Sequence, residues 1–201
     1  MIIWIASYPK SGNTYLRSFL SSYYYSEDGK FNFNHLSNIR QFPNLKFSKF
    51  QARTKEEASQ NWIFNQNEFF NKENFNLTKT HNCLYPFKGN QFTSNKLSLG
   101  AIYIVRDPRN VITSLTHHYS LNYEQALNHM TNEESSLLET TVDDDYSNFT
   151  YLNSWANHYK SWKNNSIFET LFVKFEDLKD NKEETFRKII LFIKKLMKDS
   201  S

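Results

Sequence analysis

The sequence predicts an α/β fold, a three-layer sandwich with a central parallel sheet, and three observations carry that expectation. Residues 2–6 (IIWIA) and 101–105 (AIYIV) are short continuous apolar runs rich in β-branched and aromatic side chains, the pattern of strands buried on both faces. Each run ends in a polar turn, and beyond each turn the apolar spacing becomes helical, as in the strand–helix units of a parallel sheet. Aromatic residues make up 17% of the 201 residues, enough to build the core of one domain although glycine and proline number only four each.

Behind the first strand, Tyr15, Leu16, Phe19, Leu20 and Tyr23 recur with helical spacing, so a helix beginning near Thr14 lays one face on the sheet. Residues 25–74 are rich in Asn, Lys and Phe. Turns are expected at Asp28-Gly29 and Pro43, and a helix over 55–70 with Ala58, Trp62, Phe69 and Phe70 inward. Residues 75–80 read as the next strand, ending on Lys79, Thr80 and His81. After the strand at 101–105, Pro108 suits a first helical turn, and Val111, Ile112, Leu115 and Tyr119 give the buried face of a helix. Residues 121–150 are polar and acidic. Leu152, Trp155, Tyr159 and Trp162 restore a helical period, 170–174 (TLFVK) form another strand, and a last helix over about 182–197 buries Phe186, Ile189, Ile190, Ile193 and Leu196.

The stretch that bears on function is SYPKSGNTYLR, residues 7–17. A proline, a lysine, a glycine and small hydroxyl or amide side chains between a strand and a helix form an anion cradle: the turn frees backbone N–H groups at a helix N-terminus, and dipole and lysine add positive potential. It is not a nucleotide triphosphatase loop, in which the lysine follows the last glycine; here Lys10 precedes Gly12. Residues 8–15 resemble instead the Y-P-K-S-G-T-T-W loop of the PAPS-dependent sulfotransferases, which wraps the 5′-phosphosulfate of the donor 3′-phosphoadenosine 5′-phosphosulfate (PAPS). Asn13 replaces a threonine, keeping a polar cap. Tyr15 replaces the tryptophan, keeping an aromatic face where the family stacks adenine.

Three further segments extend the resemblance. Lys79-Thr80-His81 is similar to the lysine-threonine-histidine of the cytosolic members, whose histidine is the catalytic base. A strand end is where ligands of open α/β sheets sit, although a histidine there is also an ordinary surface residue. Arg106 at a strand end with Ser114 eight residues later closely resembles the family's 3′-phosphate signature. Arginine suits it because its rigid fork gives two charge-assisted bonds to one phosphate. Arg109 stands nearby as a reinforcement, on a less close match. The order of tryptophan-bearing helix, strand and FEDLKDN resembles the family's Y-E-D turn, with Phe175 packing against adenine but lacking the phenolic hydroxyl; Glu176 and Asp177 read as structural.

The resemblance covers nearly the whole chain and implies a P-loop-NTPase-like topology with PAPS as co-substrate and adenosine 3′,5′-bisphosphate (PAP) as product. It implies Pro9, Lys10, Ser11, Gly12, Asn13, Thr14, Tyr15, Arg106, Ser114 and Phe175 as donor-binding residues. His81 would serve as base, Lys10 as stabiliser of the leaving phosphate, and Lys79 beside the transferring group. No metal is required, because lysine and backbone amides supply the positive charge. The basic R-K-G segment that closes over the family's donor is not found; Lys194, Lys195 and Lys198 fall on a helix. The expectation is therefore a single domain, residues 1–201, without the usual C-terminal donor lid.

Composition bounds the partners. The net charge of +3 does not argue for nucleic acid, and mean hydropathy is −0.69 with no apolar run of membrane-spanning length. Without a signal peptide, and with Cys83 as the single cysteine, the expected location is cytoplasmic. The adjacent His117 and His118 point in different directions on a helix, so with His129 they make no metal site. The acceptor, a small molecule or carbohydrate bearing a hydroxyl or amine, stays open, as does a homodimer. Residues 121–150, with the acidic stretch 133–145, read either as a solvated loop with a helix or as a lid over the acceptor. A PAP-binding protein without transferase activity is the alternative function, and a kinase of P-loop ancestry is disfavoured by the lysine's position.

Overall fold

The computed structural model describes residues 1–70, 75–138 and 144–199. Five parallel strands form the main sheet: β1 (Ile2–Ser7), β2 (Arg40–Gln41), β3 (Asn76–Thr80), β4 (Ser98–Val105) and β7 (Glu169–Lys174), in the spatial order β2-β3-β1-β4-β7. The first strand of the chain is thus central, with β3 and β4 on its two sides. That is the P-loop-like arrangement, and it places the turn after β1 in the middle of the carboxyl edge.

Alternation along β1 divides the core into two layers. Ile3 and Ile5 face α1 (Asn13–Tyr25), α7 (Phe175–Asp180) and α8 (Lys182–Asp199), where Leu16, Leu20, Leu178, Ile189 and Ile193 meet Ile102 and Ile104. Ile2, Trp4 and Ala6 face the other way, onto α2 (Lys55–Gln60), α3 (Trp62–Phe69) and α6 (Trp155–Lys163), through Trp62, Phe92, Tyr103 and Trp162. Each fully buried aliphatic side chain here is worth about 1.5–3 kcal/mol over leaving it exposed. A smaller cluster beyond the carboxyl edge joins Tyr8 and Leu152 to Val111 and Leu115 of α4 (Pro108–Tyr119) and to Ala126 and Met130 of α5 (Tyr123–Thr131).

Several local expectations need correction. The helix over 55–70 is two helices that meet at Asn61, which caps both ends. The polar stretch 121–150 does hold a helix beside its loop, α5, capped by a box between Asn122 and Gln125, but adds a short antiparallel pair, β5 (Ser136–Leu137) with β6 (Thr150–Tyr151). FEDLKD is a helix rather than a turn. Tyr23 and Tyr119, read as inward, are 47% and 41% exposed. Both fall in the last turns of their helices, where Tyr23 meets Phe186 edge-on at a centroid distance of 5.9 Å. Residues 139–143, within the acidic stretch, lie outside the described residues.

Candidate active site

Sheet register alone assembles the site. Ala6 pairs with Thr80 and Ser7 with Ile104, so the residues just past β3 and β4 stand level with the end of β1. Three turns from distant parts of the chain therefore open into one cleft of about 440 Å³.

The first turn is shaped by its backbone. Lys10 (φ 65°) and Gly12 (φ 94°) both lie in the left-handed region. Glycine is required at position 12 for a second reason, since a Cβ there would overlap the Phe175 ring. Gly12 is the N-cap of α1, and no side chain caps that helix, so its leading N–H groups have no side-chain acceptor. Asn13, expected to cap, turns inward instead. Its amide donates to the Ile5 carbonyl (2.9 Å) and to Ser7 Oγ (3.2 Å), tying the start of α1 to the end of β1. The Ser11 hydroxyl is buried without a hydrogen-bond partner. A buried orphan hydroxyl in such a turn fits an anion, which would accept its proton.

The second turn is shaped by side chains. Asp107 accepts from the Arg109 amide (2.9 Å), and Pro108 occupies the first helical position, so α4 arrives already capped. Arg106 is left to reach out. Its Nη1 donates to the Lys10 carbonyl (2.9 Å), joining the two turns, and its guanidinium lies 4.7 Å from the Phe175 ring centroid. Its Nε is buried and unpartnered, a further donor in want of an acceptor. Arg109 is committed elsewhere: its fork grips Asp107 through Nε (3.0 Å) and Nη2 (2.5 Å) outside this cleft. That grip holds the Asp107 carboxyl at about 2.

The third contribution comes from the end of β3. His81 Nδ1 lies 2.7 Å from the Ser7 carbonyl, which can only accept, so Nδ1 carries the proton and Nε2 keeps its lone pair. Burial, aided by the charge of Lys79, holds the imidazole well below its usual pKa and hence neutral at neutral pH. Lys79 Nζ donates to Gln41 Oε1 at 2.8 Å. Burial and the neighbouring Arg106 lower the pKa of Lys10.

All sequence-predicted site residues line the cleft except Ser11, Tyr15 and Phe175. Ser11 lies beneath the turn. Tyr15 packs edge-on against Phe19 and Phe175 at centroid distances of 5.0 and 6.4 Å, and Phe175 roofs Gly12 and Arg106. His118, Tyr119 and Leu137 complete the wall and escaped sequence reasoning, since they carry no motif. Among the described residues that line the cleft there is no carboxylate. A cluster of Lys10, Lys79 and Arg106 is an environment for a polyanion.

The fold and this cleft define a P-loop-like α/β protein with a cationic cleft at the carboxyl ends of its central strands. The chain belongs to the sulfotransferase family: the model described as "Sulfotransferase domain" matches residues 2–201. A solved structure, retinol dehydratase in a complex with retinol and PAP, is similar in fold with a TM-score of 0.55 and 17% sequence identity. The similarity covers 94% of this chain and 58% of that one, so the chain spans less than two thirds of that neighbour's length. No curated protein matches the chain in sequence. No helix among the described residues is long and apolar enough to cross a membrane.

Proposed function

We propose that this sulfotransferase-family chain, read as a single domain, moves a sulfuryl group from PAPS to a hydroxyl or amine of a small-molecule or carbohydrate acceptor. The observation that carries the proposal is the convergence of two anion-holding turns on one neutral histidine, in a cleft whose described lining holds no carboxylate. The donor supplies an activated sulfuryl group. Every other requirement falls to the protein: to hold two phosphates apart, to take a proton from the acceptor, and to stabilise charge on the oxygen that leaves.

In this reading the amides from Ser11 to Tyr15 and the Ser11 hydroxyl hold the 5′-phosphate, while Lys10 stabilises its bridging oxygen as the S–O bond breaks. Arg106 and Ser114 hold the 3′-phosphate and so orient the donor from its far end. His81 Nε2 takes the acceptor's proton as the new O–S or N–S bond forms, and Lys79 neutralises the sulfuryl oxygens. The PAP bound to the fold neighbour supports the choice of nucleotide. The acceptor approaches through a neighbouring cavity of about 520 Å³ that shares Tyr119 and Leu137 with the cleft and is lined by Gln125, Asn128, His129 and Glu134.

Calorimetry with PAP, followed by transfer of radiolabelled sulfate from PAPS to a panel of alcohols, amines and sugars, tests the proposal. Saturable PAP binding with transfer to at least one acceptor is the expected result. Binding without transfer to any acceptor would reduce the chain to a nucleotide-binding protein, and no PAP binding by folded protein would overturn the reading altogether.

A further inference from the structure

Behind the cleft, away from any ligand, lies a buried hydrogen-bonded circuit. His158 of α6 is 0% exposed and Tyr103 of β4 is 1% exposed. The Tyr103 hydroxyl lies 2.9 Å from His158 Nδ1, and His158 Nε2 lies 3.0 Å from the carbonyl oxygen of His81. His81 Nδ1 in turn meets the carbonyl of Ser7, the residue before Tyr8, whose ring packs edge-on against His158 at 5.4 Å. The path runs from β4 through α6 and the end of β3 to the end of β1.

Every direction in this circuit is set by the chemistry of its acceptors. The His81 carbonyl can only accept, so His158 must be protonated on Nε2. Burial holds His158 at about 4, so at neutral pH it has no second proton, and Nδ1 accepts from Tyr103. Tyr103 is therefore the donor.

We propose that His158, oriented by Tyr103, is the positioning residue for His81: by holding the His81 carbonyl it fixes the peptide beyond β3, and with it the ring whose Nδ1–H points at Ser7 and whose Nε2 is left bare. The inference rests on the reading of His81 as the base. It adds that the peptide carrying this base, and so the ring's approach to the Ser7 carbonyl, is held by an imidazole outside the cleft lining. The groups that bear on His81 are Lys79 on its own strand, Arg17 from α1, His158 from α6 and the Ser7 carbonyl from β1. Those on His158 are Tyr8, Tyr103 and His81. No carboxylate is among them, so nothing in this set competes to draw a second proton onto either ring.

The test reads tautomers on the free protein. Long-range proton–nitrogen spectra of histidine-labelled chain near neutral pH are expected to show His81 protonated on Nδ1 and His158 on Nε2. His158→Leu removes the donor and keeps the volume. It is expected to give a mixture of His81 tautomers and a kcat loss on the order of 10-fold to 10²-fold, with PAP affinity unchanged. His158→Gln, whose side-chain amide takes the place of Nε2–H, is expected to recover the His81 tautomer and most of kcat, which a merely space-filling role would not produce. Wild-type His158 protonated on Nδ1, or a His158→Leu protein with the parental His81 tautomer and kcat, would overturn the proposal. Should His158→Leu fail to fold, Tyr103→Phe decides: a mixed His158 tautomer and a smaller kcat loss support the circuit, and an unchanged spectrum and rate overturn it. Wild-type protein without transferase activity would count against the function above, while the spectra would still decide the circuit.

Discussion

The two strand-to-helix turns of the cleft are built by opposite means. The turn after β1 bends through positive φ at Lys10 and Gly12 and leaves α1 without a side-chain cap, so its backbone amides are available to a ligand. The turn after β4 caps its own helix with Asp107 and Pro108 and presents a guanidinium instead. Backbone amides cannot rotate away and suit the point where charge develops during reaction; an arginine fork is directional but mobile, and suits anchoring. On the proposed reading, chemistry falls to the first turn, which also holds His81 through Ser7, and affinity to the second.

Substitution should separate the two. Taking the proton acceptor away in His81→Ala is expected to lower turnover by on the order of 10² to 10⁴, and Lys10→Ala by on the order of 10² to 10³, both with PAP affinity little changed by calorimetry. A Lys10→Ala enzyme that loses PAP binding but keeps its kcat would invert the assignment.

Acid should also tell the turns apart. His158 titrates at about 4 when folded against an ordinary value of 6.5, so between those values the unfolded chain binds a proton that the folded chain refuses. Its contribution is fully present above 6.5 and is lost as pH falls toward 4, roughly 3 kcal/mol across the window. Urea unfolding of the wild type at pH 7 and pH 5, beside His158→Gln, checks it; equal losses in the two proteins would refute it. Asp107, held at about 2, stays ionised over that range, so the cap of the second turn is unaffected.

Arg106→Lys keeps the charge but loses the fork and the bond to the Lys10 carbonyl. It is expected to weaken PAP binding by roughly 1.5–3 kcal/mol while kcat at saturating donor changes less. The smallest effect is expected from Asp107→Ala, which removes the α4 cap and frees Arg109. Melting temperature should fall slightly and PAP affinity should hold, because Arg109 points away from the cleft. A large affinity loss would mean that the second turn depends on its cap as much as the first depends on its glycine.

Both turns were legible because the information in them is local. Apolar runs at 2–6 and 101–105, a glycine where φ is positive, and a proline at a helix start each act within a few residues. The same locality misled where an end of an element decided the outcome. Tyr23 and Tyr119 keep helical period yet are exposed in the last turns of their helices, and Asn13, read as a cap, instead donates its amide to the Ile5 carbonyl and Ser7 Oγ. Tyr15 and Phe175, read toward a nucleotide, pack edge-on against each other, and the Phe175 ring covers Gly12. The His158 circuit had no signal at all, because a histidine followed by an aromatic in a helix looks the same whether or not a carbonyl waits 77 residues away in sequence.

The sequence by itself determined the strand–turn–helix units, the lysine and arginine that end them, and the family to which they point, since periodicity, φ preference and capping are properties of short segments. Only tertiary structure decided that β1 lies between β3 and β4, that Ser7, His81 and Arg106 come level, and that Arg106 spends one donor on the Lys10 carbonyl. Those outcomes depend on parallel register between strands far apart in the chain, which no local preference encodes and which burial of both sheet faces selects as a whole.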